Sequence, residues 1–219
     1  MTRVKICGIK EEAHALVAAE AGADFIGLVF APSPRQVTLA QAERIARVVK
    51  ESHPATEVVG LFVNASATEV NTTADLCHLD WVQLSGDEPW EYCLEIAKPL
   101  IKVVHISEHR NPQEIGDILA YGASILNKQK HIYLIDSFTK GKYGGTGKAF
   151  NWELARQAAK QFPVIIAGGL TPENVAQAIK TASPWGVDVS SGVEISGTKH
   201  PARIRAFIQA VRRADDEQR

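Results

Sequence analysis

Two side chains far apart in the chain have the right types for paired proton transfer. One is the thiol of Cys7, in Val4-Lys5-Ile6-Cys7-Gly8, and the other is the carboxyl of Asp136, in Leu134-Ile135-Asp136-Ser137. Each ends a short apolar run and so reads as the tip of a buried strand. One group could take a proton from one part of a substrate while the other gives a proton elsewhere. That requires opposite shifts. Cys7 must spend time as thiolate despite an ordinary pKa near ~8.5, and Asp136 must hold a proton despite a reference value near ~3.9. Positive charge or amide dipoles would lower the thiol, whereas burial or a substrate anion would raise the acid. The plainer reading of Cys7 is an inert, packed thiol.

Further polar residues fall where apolar runs end. Arg35, in Ala31-Pro32-Ser33-Pro34-Arg35, sits on a loop stiffened by two prolines and is suited to gripping a carboxylate with two parallel hydrogen bonds. Gln83 and Asp188 are further candidates for substrate contact. Strand alternation places Lys5 on the face of Cys7, and a structural ion pair between Lys5 and Asp188 is the favoured role for that lysine. Three loops could wrap an anion: Gly144-Gly145, Gly168-Gly169 and Ser190-Ser191-Gly192. The first lies in Tyr143-Gly144-Gly145-Thr146-Gly147-Lys148, which is not a Walker sequence and implies no nucleoside triphosphate. No histidine pair has metal-ligand spacing, so no metal is assigned. Cys77, Cys93, Trp81 and Trp152 read as packing residues, and His105 and His131 as structural or exposed.

The elements that must position these groups alternate along the whole chain. Apolar runs at Val4–Cys7, Phe25–Phe30, Glu57–Val63, Trp81–Leu84, Leu100–Ile106, Ile132–Ile135, Pro163–Ala167 and Gly186–Val189 read as eight strands. Helical periodicity fills 10–22, 38–50, 66–78, 88–98, 112–123, 151–161, 172–182 and 200–214. Capping boxes at Thr38-Leu39-Ala40-Gln41 and Ser66-Ala67-Thr68-Glu69, and cap-proline pairs Asn111-Pro112 and Thr171-Pro172, mark four helix starts. Eight strand-then-helix units predict a single α/β domain over residues 1–219: a (β/α)8 TIM barrel of phosphate-binding type, with a frayed tail at 212–219. An open doubly wound sheet is the structural rival, but no G-x-G-x-x-G opens the first helix. In a barrel the groups above would gather at the C-terminal strand ends, with Asp136 across from Cys7 and the last two loops forming the anion cup.

Composition limits the partners. Among 219 residues, 24 Lys and Arg nearly balance 25 Asp and Glu, and no basic run appears, which argues against nucleic acid or an anionic membrane surface. Three cysteines without C-x-x-C spacing suggest neither a disulfide framework nor zinc. No apolar run reaches membrane-spanning length, and no signal-peptide core is present. A cytoplasmic enzyme acting on a small phosphorylated molecule is expected, as a monomer, with a homodimer as the alternative.

Taken in order, Lys5-Ile6-Cys7-Gly8, Ser33-Pro34-Arg35, Val59-Gly60-Leu61-Phe62-Val63-Asn64, Val82-Gln83-Leu84, Gly86-Asp87-Glu88, Leu134-Ile135-Asp136-Ser137, Gly144-Gly145-Thr146-Gly147-Lys148, Ala167-Gly168-Gly169-Leu170 with Pro172-Glu173-Asn174-Val175, and Gly186-Val187-Asp188-Val189-Ser190-Ser191-Gly192-Val193-Glu194 resemble the motifs of the phosphoribosylanthranilate isomerase family of tryptophan biosynthesis. The resemblance implies a cofactor-independent Amadori rearrangement. In it, the residue matching Asp136 would protonate the furanose oxygen and the residue matching Cys7 would remove the C2 proton. Arg35 would hold the anthranilate carboxylate, and the glycine and serine loops would cradle the phosphate. Three positions depart from the family pattern: Ser85 stands where a histidine is expected, Asn151 where an aspartate is, and 196–200 reads Ser-Gly-Thr-Lys-His. Ser85 is expected to point away from Gln83, and Asn151 to cap the next helix. The rivals are indole-3-glycerol-phosphate synthase, a histidine-pathway isomerase, which would need a carboxylate in place of Cys7, and a barrel that binds a phosphometabolite without turnover.

Overall fold

Every long apolar run pairs with the next as a parallel strand. In this computed structural model, which describes residues 1–106, 111–137 and 152–218, the strands are β1 Arg3–Cys7, β2 Phe25–Val29, β3 Glu57–Phe62, β4 Trp81–Leu84, β5 Leu100–Ile106, β6 His131–Ser137, β7 Val164–Ile166 and β8 Gly186–Val189. They form a closed barrel in sequence order, sealed by β1 against β8 with Lys5 opposite Asp188. The helices are α1 Glu12–Glu20, α2 Leu39–Ser52, α3 Ala67–Leu76, α4 Trp90–Cys93, α5 Pro112–Ile125, α6 Trp152–Ala159, α7 Val175–Ala182 and α8 Pro201–Glu217. This is the (β/α)8 architecture, and it puts every strand's C-terminal end on one rim.

Alternation along each strand separates two cores. Val4 and Ile6 of β1, Ile26 and Leu28 of β2 and Val82 and Leu84 of β4 face outward, into the layer shared with the helices. Phe25, Val59, Trp81, Ile101, Val103, Ile132, Leu134 and Ile165 face inward and fill the barrel. The inward set continues toward the rim as polar side chains: Cys7 follows Lys5 by two residues, Gln83 follows Trp81, and Asp136 follows Leu134. Apolar residues thus plug the lower barrel while the same face of the same strands presents chemistry above.

Local signals placed most helix starts. Thr38 and Gln41 complete a capping box at α2, and Asn111 accepts from the Glu114 amide at α5 ahead of Pro112. At α3 only half of the expected box forms, with Ser66 accepting from the Glu69 amide. The α7 start is displaced: Thr171 does not cap a helix at 172, because the Asn174 side chain accepts from the Thr171 amide and donates to the Gly169 carbonyl, holding the chain as a turn until Val175. The helix expected over 88–98 shrinks to Trp90–Cys93. Its first residue, Glu88, turns inward to accept from the amides of Asn64 and Gly86 and to pair with Lys102 at 2.8 Å. After Cys93, the Asn71 side chain bonds Glu95 O and Ala97 N, supplying partners that a continuing helix would have supplied.

The expected frayed tail is corrected too. Helix α8 continues to Glu217, because Asp215 accepts from the Thr2 amide at 2.9 Å and from its hydroxyl at 2.6 Å. Arg212 donates to Thr2 O at 2.7 Å and Gly22 O at 2.8 Å. The last helix is thereby fastened to the entry of β1. Asp215→Ala should lower unfolding free energy by about 1–3 kcal/mol, since it leaves the Thr2 donors without partners; urea denaturation of the variant beside the parent measures the loss.

Candidate active site

Where the strands end, their inward residues enclose a cavity of about 360 Å³ at the C-terminal mouth. Cys7, Arg35, Gln83, Asp136, Gly168, Gly169, Asp188, Ser190 and Ser191 all line it. The fold therefore brings together residues drawn from strands one, four, six and eight and from the loops after strands two, seven and eight. Gly144, Gly145 and Asn151 lie outside the described residues. No group of three or more potential metal ligands occurs among the described residues.

Cys7 is 5% exposed, at the tip of β1. Beneath it Lys5, with no exposed surface, bonds Asp188 Oδ1 at 2.9 Å, as barrel closure requires. Gly27 on β2 makes room for both: a Cβ there would lie 3.0 Å from Cys7 Sγ and 3.1 Å from Lys5 Nζ. The thiolate that proton abstraction requires is opposed by the surroundings of Cys7. Burial pushes the Cys7 thiol up, Lys5 pulls it down, Asp188 pushes it up and Lys199 pulls it down; the net effect is upward because desolvation dominates.

Arg35 does grip a carboxylate in two parallel bonds, but that of Glu194, with Nε to Oε1 and Nη2 to Oε2 both at 2.8 Å. Glu194 and Lys199 lie on a small hairpin after β8, formed by β9 Glu194–Ile195 and β10 Thr198–Lys199. Lys199 bonds the same carboxylate and the Ser190 carbonyl, the latter at 3.0 Å. Burial opposes ionisation of Glu194, yet the hydrogen bonds from Arg35 and Lys199 outweigh it and hold the carboxyl below the usual range. The Arg35 stem crosses directly over Gly8, where a Cβ would meet Arg35 Cδ at 2.5 Å. Gly8 is thus needed for close approach, and its φ of 77° is itself unfavourable for other residues.

Ser85 does not point away from Gln83. Residues two apart on an extended chain share a face, and Gln83 Nε2 donates to Ser85 Oγ at 3.1 Å. His105, opposite Asp136 in the β5–β6 register, donates from Nε2 to the Ser85 carbonyl at 2.9 Å and also lines the cavity. Gln83 Oε1 is buried and has no protein hydrogen-bond donor among the described residues. An acceptor fixed in this way suits a ligand hydroxyl or amine.

The wall opposite is mostly backbone. Gly168 and Gly169 have φ of 92° and 65°, conformations that turn successive amides in ways other residues avoid. Ser190 and Ser191 stand beside them, the latter starting a single 3-10 turn. Gly192 is placed differently from the expectation. It does not line the cavity but sits behind the wall, where a Cβ would fall 1.9 Å from Leu170 O, so its lack of a side chain lets the two loops touch. Sequence reasoning missed Glu194, Lys199 and His105 as site residues. The Val193-Glu194 and Thr198-Lys199 dipeptides carry no pattern that would have paired them.

A (β/α)8 barrel with a thiol, a carboxyl and an amide-rich wall converging on the C-terminal mouth is a barrel enzyme, with its functional groups on the face where such enzymes carry them. Residues 4–210 match the family model "N-(5'phosphoribosyl)anthranilate (PRA) isomerase", and the chain belongs to that family. It is 45% identical over 215 residues to the N-(5'-phosphoribosyl)anthranilate isomerase of Dehalococcoides mccartyi, covering 98% of each chain. Among solved structures it is similar to phosphoribosyl anthranilate isomerase from Thermotoga maritima, with TM-score 0.84, 37% identity and coverage of 97% and 99%. A phosphoribosyl anthranilate isomerase in complex with reduced 1-(o-carboxyphenylamino)-1-deoxyribulose 5-phosphate gives TM-score 0.80 and 35% identity over 97% of this chain and 99% of that one.

Gly192→Ala should drive the Leu170 and Ser190 loops apart. A stability loss of about 1–3 kcal/mol from overpacking is expected, together with a raised KM for phosphorylated substrate; thermal melts and steady-state kinetics check the two effects.

Proposed function

We infer that the chain isomerises N-(5-phospho-β-D-ribosyl)anthranilate to 1-(2-carboxyphenylamino)-1-deoxy-D-ribulose 5-phosphate, a step of tryptophan biosynthesis. The observation carrying this reading is the convergence of Cys7 and Asp136 on one cavity of a chain matched to the isomerase family along nearly its whole length. Asp136 acts as the acid: it gives its proton to the furanose oxygen, the C1–O bond opens, and a Schiff base forms with the anthranilate nitrogen. Cys7 then acts as the base. Its thiolate takes the C2 proton, the C–H electrons pass into a C1–C2 double bond, and the resulting enol-amine relaxes to the ketone. Atoms and charge are conserved without a cofactor.

The remaining groups orient and hold. Glu194 occupies the Nε side of Arg35 and leaves Nη1 to engage the anthranilate carboxylate, so Arg35 can bind an anion without being freed first. Gln83 Oε1 is an acceptor for a substrate hydroxyl or amine, and Asp188 contacts the substrate from the base of the cavity. The amides of Gly168-Gly169 and Ser190-Ser191 receive the phosphate. No described helix is long and apolar enough to cross a membrane. The enzyme is proposed to work in the cytoplasm as a monomer, and sedimentation equilibrium separates that from a homodimer.

Cys7→Ser and Asp136→Asn should each lower kcat by about 10²–10⁴ while still binding a product analogue. Loss of the anthranilate substrate's fluorescence on adding protein reports turnover, and near-parental rates in either variant would sink the acid–base assignment. Because the base acts deprotonated and burial raises the thiol, kcat/KM should still be climbing as pH rises through the ordinary thiol range, about 8.5. A profile already flat at neutral pH would contradict this.

A further inference from the structure

We propose that Lys5 is a positioning residue for the proton-abstracting thiol: its buried ammonium, bonded to Asp188 and set beneath Cys7 on the same face of β1, stabilises the thiolate against the burial that disfavours it. This rests on the reading of Cys7 as the base.

Strand geometry places both side chains on the inner face of β1, with Lys5 directly below Cys7. A purely structural ion pair in that position would be replaceable by apolar residues of similar volume with little loss of stability. In this barrel the ammonium also borders the same small space as the thiol. Nζ and Sγ both crowd the point where a Gly27 Cβ would stand, at 3.1 and 3.0 Å from it, so the neighbouring strand leaves the space between them clear. The Asp188 bond uses one of three ammonium hydrogens.

The charges around the thiol support the same assignment. Among the described residues, Lys5 on β1, Arg35 in the loop after β2 and Lys199 on β10 are the cations facing this region, and Asp188 on β8 and Glu194 on β9 are the carboxylates paired with them. Asp136 on β6 and His105 on β5 lie across the cavity, the first acting in its protonated form and the second donating from Nε2 to Ser85. Arg35 and Lys199 both bond Glu194, whereas Lys5, bonded to Asp188, is the one of these three cations on the strand that carries the thiol. Burial lowers the Lys5 pKa, but Asp188 and Cys7 outweigh it, so the ammonium is held above its ordinary range. Lys5 therefore keeps its protons throughout: the C2 proton passes to Sγ, and the ammonium supplies only fixed charge.

The test reads the titration of Cys7 in two variants with opposite expected signs. Lys5→Met removes the cation, so the ascending limb of kcat/KM against pH should move up by about one pH unit or more, equivalent to tenfold or greater loss of thiolate at a given pH. Asp188→Asn removes the competing carboxylate, so the same limb should move down. Iodoacetamide modification of the Cys7 peptide, followed by mass spectrometry across the same pH range, should shift in parallel. If Lys5→Met does not fold, Asp188→Asn decides, because it keeps the side-chain shape. Limbs that stay at the parental pH, with only stability altered, would overturn the role of Lys5 while leaving Cys7 as base. Parental turnover in Cys7→Ser would overturn both.

Discussion

A lysine ammonium with no exposed surface, inside a barrel, has to be paired. In this protein the pair is Lys5 with Asp188, across the seam where the first strand meets the last. An unpaired charge at that depth would cost several kcal/mol, so the sheet is strongly favoured to close in the one register that brings Asp188 opposite Lys5. That register determines what stands above it. Cys7 follows Lys5 on the inner face of one strand, and Ser190 follows Asp188 on the other, so the thiol and the serine wall share a corner of the cavity.

Around that corner a second set of charges links parts of the chain that share no local pattern. Glu194 on the last small hairpin holds Arg35 from the loop after β2 and Lys199 from its own hairpin, and Lys199 in turn holds the Ser190 carbonyl. Arg35 is fixed before any substrate arrives, which reduces the conformational entropy lost on binding. Gly8, Gly27 and Gly192 serve this arrangement by absence: each permits an approach that a methyl group would block, to Arg35, to Lys5 with Cys7, and to Leu170 respectively.

Thiol chemistry in the site is set by competition between burial and charge. Burial alone would make Cys7 an inert packing residue. The surrounding cations oppose that effect without overcoming it, which leaves a thiol that ionises reluctantly and is a strong base once ionised. Such a group suits abstraction of a proton from carbon, where basicity matters more than the standing fraction of thiolate.

By itself, the sequence determined the eight strand-and-helix units, the inner and outer faces of the strands and the residues at their tips, because alternation and helix capping are local. Even the Lys5–Asp188 pair was legible, since closure of an eight-stranded barrel makes the last strand adjoin the first. Tertiary structure decided the rest. Asn71 and an inward Glu88 cut short a helix whose periodicity looked complete, and Asp215 and Arg212 fastened a tail whose composition looked loose. Arg35 proved to hold Glu194, and burial outweighs the cations gathered around the thiol. The physical reason is common to all of them. Hydrogen bonds, ion pairs and desolvation depend on which residues meet in space, and side chains more than a hundred residues apart in the chain meet at the mouth of this barrel.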